Sequence, residues 1–202
     1  MVCIFVPIVS LWLEGSVWPF FVSYCLLLFS LQAGGRIYPP IRLYKFDSQI
    51  FIKNGNMEKR RFLPGEVNHI YQRSISGYNI FYEIEDYLVY YTIFSVLSIR
   101  YDITVYGLCL MIDHLHSLCS AAEKSSLARF LSAVTMRFVK AYQREHMTCG
   151  PMFLERFGSA PKLGLKRLRT AIAYLYNNPV ERYLCRFAQD YRWNFLAYGN
   201  SD

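Results

Sequence analysis

The chain of 202 residues has room for one domain with an appended segment. Its hydrophobic fraction of 53% excludes intrinsic disorder, a collagen-like repeat and a coiled coil, and its formal net charge of +7 points to an anionic partner. The six cysteines include no Cys-x-x-Cys pair, so we expect reduced thiols, most of them buried.

The apolar excess is concentrated in the first 56 residues. The stretch 16–33 carries no charge, but it is short of the about 20 residues that a membrane-spanning helix needs, and Pro19 interrupts it. No lysine or arginine precedes Arg36, so the n-region of a secretory signal is missing. We interpret Met57 as the true initiator and residues 1–56 as upstream sequence read through in gene calling. A membrane anchor is the alternative, and the intact mass of the native protein decides between them.

From Met57 onward the chain has the charge content of an ordinary domain, and its elements alternate between strand and helix. Runs of β-branched and aromatic residues predict strands, and apolar residues at helical spacing predict helices. In chain order these are a strand at 67–75, a helix at 83–100, strands at 103–111 and 114–119, a helix from a capping box at 120–123 to about 145, a strand-and-loop region at 150–163, and a helix at 166–178 that Pro179 stops. This order predicts an α+β domain at 57–202 with a ferredoxin-like antiparallel sheet and helices on one face.

The long helix carries a basic stripe opposite its apolar face. Because this is the second helix predicted after Met57, α2, we call the stripe the α2 stripe; it consists of Arg129, Arg137, Lys140 and Arg144. A charged stripe is usually only a solvated surface, but the excess of basic residues in the whole chain favours a nucleic acid as its partner.

His114 and His116 lie two residues apart in a predicted strand. Because strand side chains alternate, both imidazoles project from the same face, with their α-carbons about 6.5–7 Å apart. Two ring nitrogens at this spacing can bind one cation. The alternative is a pair of half-exposed surface histidines.

The last helix has a second stripe besides its apolar face. Tyr174 and Asn178 are four residues apart and therefore neighbours on one side of the helix. An ordinary core tyrosine would lie on the side of Leu168 and Leu175 instead. This placement favours a functional role for Tyr174.

Four blocks of sequence resemble one known family. Met-Ile-Asp-His-Leu-His-Ser-Leu at 111–118 resembles the HUH motif of single-tyrosine transposases. The segments 150–157, 174–180 and 191–198 resemble further blocks of that family in the same order. Within that family, the chain resembles REP-associated tyrosine transposases and related insertion-sequence enzymes. It covers residues 62–198 and none of residues 1–56.

The resemblance implies the HUH endonuclease fold and a set of site residues. Tyr174 would be the nucleophile, and His114, His116 and Asn178 would be ligands of a divalent metal, Mg²⁺ or Mn²⁺. Family members usually carry Pro-Asn before the HUH motif, whereas this chain has Ile112-Asp113. We therefore expect the carboxylate of Asp113 beside the metal.

The resemblance also implies an activity and partners. The enzyme would cleave and rejoin single-stranded DNA at hairpin-containing ends through a 5′-phosphotyrosine, with Lys166, Arg167 and the α2 stripe as candidate DNA contacts. We expect no nucleotide cofactor and no membrane association, and a cytoplasmic, nucleoid-associated protein. Monomer and homodimer both remain open. The competing hypotheses are an inactive, domesticated protein of the same fold that binds DNA hairpins and, from residues 16–33 alone, a small membrane-anchored protein.

Overall fold

The computed structural model describes residues 62–198, so the predictions about residues 1–56 and the start at Met57 lie outside the described residues. The predicted order of strands and helices is confirmed. In chain order the elements are β1 (Asn68–Arg73), α1 (Ile84–Arg100), β2 (Thr104–Leu110), β3 (His114–Ser120), α2 (Lys124–Glu145), β4 (Gly158–Pro161) and α3 (Gly164–Glu181).

The four strands form one antiparallel sheet in the order β2-β3-β1-β4. β2 and β3 are joined by a tight turn, in which the N–H of Met111 donates to the carbonyl of His114 at 2.8 Å. β1 pairs with β3 so that Tyr71 lies opposite His116 and Arg73 lies opposite His114. This register places side chains of β1 on the same face as the histidine pair.

Helices α1 and α2 cover one face of the sheet, as predicted. Alternate strand residues such as Leu108 and Leu115 pack there against aromatic residues of both helices. Phe130 of α2 is fully buried, and its ring centroid lies 5.1 Å from that of Phe94 of α1. The larger of the two apolar clusters in the described chain is therefore the interface between this face and these two helices.

Helix α3 packs on the opposite face, which the prediction of helices on one face did not include. Ala171 and Leu175 of α3 contact a second apolar cluster with Cys109, Met111 and Leu118 of the sheet region. The reason is that both faces of β2 and β3 carry apolar residues, as in a strand buried on both sides. The sheet thus lies between two helical layers, and α3 covers the histidine face.

The predicted span of the long helix is confirmed, but the capping box at 120–123 and the end of the last helix at Pro179 were wrong. Ser120 is the last residue of β3, and α2 begins after Glu123, which makes no side-chain capping bond. Pro179 does not end α3, which continues to Glu181. A proline in the last turn removes only one intrahelical hydrogen bond, so the helix tolerates it there. Asn178 therefore stays helical and keeps its position one turn after Tyr174.

The C-terminal block 191–198 closes the outer edge of the sheet. The N–H of Leu110 donates to the carbonyl of Trp193 at 2.9 Å, and the Tyr191 hydroxyl donates to the carbonyl of Leu110 at 2.8 Å. The Trp193 ring stacks on Tyr87 of α1 with centroids 4.2 Å apart. None of the helices in residues 62–198 combines the length and apolarity that a membrane span requires.

Candidate active site

A cleft of about 1150 Å³ opens between the sheet and α3. His114, His116, Tyr174 and Asn178 all line it, so the structure brings together the four side chains that the sequence singled out. Six basic side chains line the same cleft, against one acidic one, Glu155. These six are Arg73, Arg156, Lys162, Lys166, Arg167 and Arg182. The excess positive charge suits a polyanionic ligand.

The ring of His114 is oriented by its neighbour Asp113. Its Nδ1 lies 2.6 Å from Oδ1 of Asp113. Burial alone would raise the pKa of Asp113, but the hydrogen bond and charge of His114, with help from Arg182, hold that pKa below its ordinary value. An ionised carboxylate only accepts hydrogen bonds, so Nδ1 carries the proton. In the neutral imidazole, Nε2 is then left with a free lone pair.

The expectation that the Asp113 carboxylate lies beside a metal stays a prediction, and the structure adds which atom the carboxylate contacts. The carboxylate contacts Nδ1 of His114, on the side of the ring away from Nε2. Such a partner fixes the tautomer of a metal-binding histidine and raises its basicity instead of binding the metal itself. Asp113 is therefore a positioning residue for His114.

Asn178 faces the free nitrogen of His114. Its Oδ1 lies 3.4 Å from His114 Nε2, and its Nδ2 has no hydrogen-bond partner within residues 62–198 although only 4% of the residue is exposed. When the His114 ring is neutral with its proton on Nδ1, Nε2 and the Asn178 Oδ1 are both acceptors, and a cation between them would stabilise the pair. Among residues 62–198, this cleft included, no group of three His, Cys, Asp or Glu side chains could hold a metal ion, so an amide oxygen has to complete any ligand set. Two imidazoles and one amide oxygen are thus the donor set available, and it fits a divalent ion.

His69 is a member of the site that the sequence reasoning missed. It lies on β1, is buried, and its Nε2 is 3.0 Å from Nδ1 of His116. Burial, aided by the charge of Lys162, lowers the pKa of His69 to about 4, and burial also lowers the pKa of His116 well below its ordinary value. Both rings are therefore neutral near pH 7, and one donates its N–H to the other. When His116 is the donor, its Nε2 is free to bind a cation.

Tyr174 stands over these two imidazoles and remains accessible. Its ring makes edge contacts with His69 and His116 at centroid distances of 5.9 and 5.5 Å, and 45% of the residue is exposed. Tyr176 points elsewhere: its hydroxyl packs against Gly107 of β2, and burial raises its pKa. Of these two tyrosines of α3, only Tyr174 lines the cleft.

The predicted DNA-contacting residues divide between two surfaces. Lys166 and Arg167 are exposed on the first turn of α3 and line the cleft. The α2 stripe is exposed as well, but α2 packs on the other face of the sheet, and no residue of the stripe lines the cleft. The stripe stays a prediction, for a surface separate from the site.

Comparisons with known proteins give matches at the level of structure. No protein-family model matches the chain, and no curated protein matches it in sequence. A structure of a REP-associated tyrosine transposase bound to a REP hairpin matches with a TM-score of 0.62 and 12% identity, over 71% of this chain and 84% of that one. A protein assigned as a transposase from Deinococcus radiodurans R1 matches with a TM-score of 0.40 and 15% identity, over 60% of this chain and 97% of that one. The first likeness shows that this chain has the fold of a REP-associated tyrosine transposase, as the sequence motifs predicted.

Proposed function

We propose that this protein is a transposase that cuts and rejoins single-stranded DNA through Tyr174. The observation that carries the proposal is the convergence of Tyr174 with His114, His116 and Asn178 in one basic cleft. The match to a REP-associated tyrosine transposase supports it, because that protein has the same fold and is bound to a REP hairpin.

His114, His116 and Asn178 are the residues that would hold a divalent ion, Mg²⁺ or Mn²⁺. The approach of the Asn178 amide oxygen to Nε2 of His114, both acceptors when that ring is neutral, supports this assignment. The chemistry that such an ion supplies when bound is Lewis-acid polarisation of a phosphate oxygen. Asp113 and His69 would keep the two imidazoles in the tautomers that leave Nε2 free.

Tyr174 would perform the covalent step. Its hydroxyl oxygen attacks the phosphorus, a new phosphorus–oxygen bond forms, and the bond to the 3′ oxygen breaks. The phenolic proton leaves to water, which reaches the half-exposed side chain, and the departing 3′ oxygen takes up a proton. The 5′-phosphotyrosine conserves the energy of the broken phosphodiester bond. Attack by another 3′-hydroxyl therefore reverses the step without a nucleotide cofactor.

The cleft would bind the DNA strand through its phosphates. A phenol has a pKa of about 10, so nearby positive charge favours attack by stabilising the developing anion. Lys166 and Arg167, on the same helix as Tyr174, are the predicted phosphate contacts. A single strand suits this site because the scissile phosphate must enter between the sheet and α3.

The site would be complete within one chain. Tyr174 of α3 lies against His116 of β3 in the same chain, at 5.5 Å between ring centroids. This geometry favours catalysis in cis and needs no partner subunit to supply the nucleophile.

A covalent trapping experiment tests the proposal. The full chain is incubated with labelled, hairpin-bearing single-stranded DNA and Mg²⁺ or Mn²⁺, and protein–DNA adducts are resolved under denaturing conditions. We expect an adduct that is lost in Tyr174→Phe and kept in Tyr176→Phe, the matched control two residues away. DNA binding without an adduct would instead support the inactive hairpin-binding protein, and an adduct that persists in Tyr174→Phe would refute the assignment of the nucleophile.

A further inference from the structure

Tyr71 of β1 is an exposed aromatic residue inside the polar cleft. It lies opposite His116 on β3 and opposite Gly158 on β4. It is 49% exposed, whereas the imidazoles of His69 and His116 beside it are buried. Tyr71 belongs to neither apolar cluster of residues 62–198, so packing in the core does not explain its position.

The ring of Tyr71 depends on the absence of a side chain at Gly158. A β-carbon built on Gly158 would overlap the outer atoms of the ring, Cζ, Cε2 and Oη. The ring therefore occupies the space over β4 that any other residue at position 158 would fill. The backbone of Gly158 does not have a positive φ, so glycine matters here because it leaves room for the ring in this position, and not because of backbone conformation.

Tyr71 is close to the proposed reacting group. Its ring centroid lies 6.0 Å from that of His69, which in turn lies 5.9 Å from the centroid of Tyr174. The two tyrosines thus flank one imidazole. Arg73, two residues along the same face of β1, and Arg156 line the same cleft. An aromatic ring with cationic side chains near it is the arrangement that binds an unpaired base and its phosphates.

We infer that Tyr71 is a stacking platform for an unpaired nucleobase next to the scissile phosphate, with Gly158 leaving room for the ring. The inference rests on the proposed function, and the ligand class is a nucleobase of single-stranded DNA. Every base has a π-face, so the platform accepts purines and pyrimidines alike. It holds the strand near Tyr174 but takes no part in bond making or breaking.

Fluorescence of 2-aminopurine, placed in turn at each unpaired position of a hairpin-bearing DNA, tests the inference in the full chain. We expect one position at which the fluorescence is quenched on binding. Tyr71→Ala loses that quenching and weakens DNA binding about tenfold, the effect of removing one stacked base. Tyr71→Phe keeps both, because the ring remains. Tyr78→Ala, at an exposed tyrosine that does not line the cleft, changes neither.

Gly158→Ala provides an independent variant that leaves Tyr71 in the sequence. Its new methyl group displaces the ring, so we expect the same loss of quenching as in Tyr71→Ala, with a cooperative thermal unfolding transition retained. Unchanged quenching and affinity in Tyr71→Ala would overturn the platform, while a Tyr174-dependent adduct in the same samples would leave the proposed function standing. Conversely, absence of an adduct from the wild-type chain, with quenching lost in Tyr71→Ala, would refute the enzyme and keep the platform in a DNA-binding protein.

Discussion

Replacement of Asp113 tests how the cleft prepares its candidate metal ligands. Asp113 accepts a hydrogen bond from Nδ1 of His114 at 2.6 Å, and both side chains are largely shielded from solvent. A charge-assisted hydrogen bond of this kind contributes about 1.5–3 kcal/mol, which corresponds to about 10- to 100-fold in an equilibrium constant. We therefore expect Asp113→Ala to weaken Mn²⁺ binding by about 10- to 100-fold, in line with the usual effect of removing a partner of a ligand histidine.

Calorimetric titration of the DNA-free protein with Mn²⁺ measures this effect without any cleavage assay. Asp113→Asn retains a side-chain carbonyl that accepts from Nδ1, so its loss of affinity should be smaller than that of Asp113→Ala. Glu155→Gln removes the one acidic side chain that lines the cleft and is the control for long-range charge. Wild-type affinity in Asp113→Ala, or an equal loss in Glu155→Gln, would refute the positioning role of Asp113.

Three further predictions concern the core, the cleft and the thiols. Phe130→Ala removes a fully buried ring and should lower the free energy of unfolding, measured by denaturant titration, by about 3–5 kcal/mol. A decrease of less than about 1 kcal/mol would contradict the packing of α2 on the sheet. Replacing Lys166 and Arg167 by alanine should weaken the binding of single-stranded DNA. The slope of log K against log salt should fall in magnitude by about 1.4, because each phosphate contact contributes about 0.7. As a control, alanine at two residues of the α2 stripe should leave this slope unchanged for an unstructured oligonucleotide. Burial raises the pKa of Cys109 to about 12, so this thiol stays protonated at pH 8. After maleimide treatment of the folded protein, mass spectrometry should find label on the exposed Cys149 and none on Cys109. Cys109 should become labelled only when the protein is unfolded.

Local patterns in the sequence predicted which side chains of the candidate site share a face. The two-residue repeat of a strand places His114 and His116 on one face, and the 3.6-residue repeat of a helix places Tyr174 beside Asn178. These relations depend only on the type of secondary structure, so they hold whatever the tertiary arrangement. That the strand and the helix meet came from the family resemblance, and the cleft now shows how they meet.

The contributions of Asp113, His69 and Gly158 could not be predicted, because they depend on contacts between distant parts of the chain or on side-chain direction. His69 approaches His116 only because β1 pairs with β3 in a particular register, and a shift of one residue would turn it to the other face. Gly158 matters only because β4 pairs with β1 opposite Tyr71. The face on which α3 packs was missed for a related reason. A strand with apolar residues on both faces does not indicate which helix covers which face.

Mass spectrometry of the protein–DNA adduct tests the central claim most directly. After nuclease trimming and trypsin digestion, a nucleotide remnant linked through its 5′ phosphate is expected on peptide 170–182, and fragmentation should place it on Tyr174. A remnant on Tyr176 or on any other residue would contradict the assignment of Tyr174 as the nucleophile. If an active preparation cleaved hairpin-bearing DNA without leaving a remnant on any tyrosine, the covalent mechanism itself would be wrong.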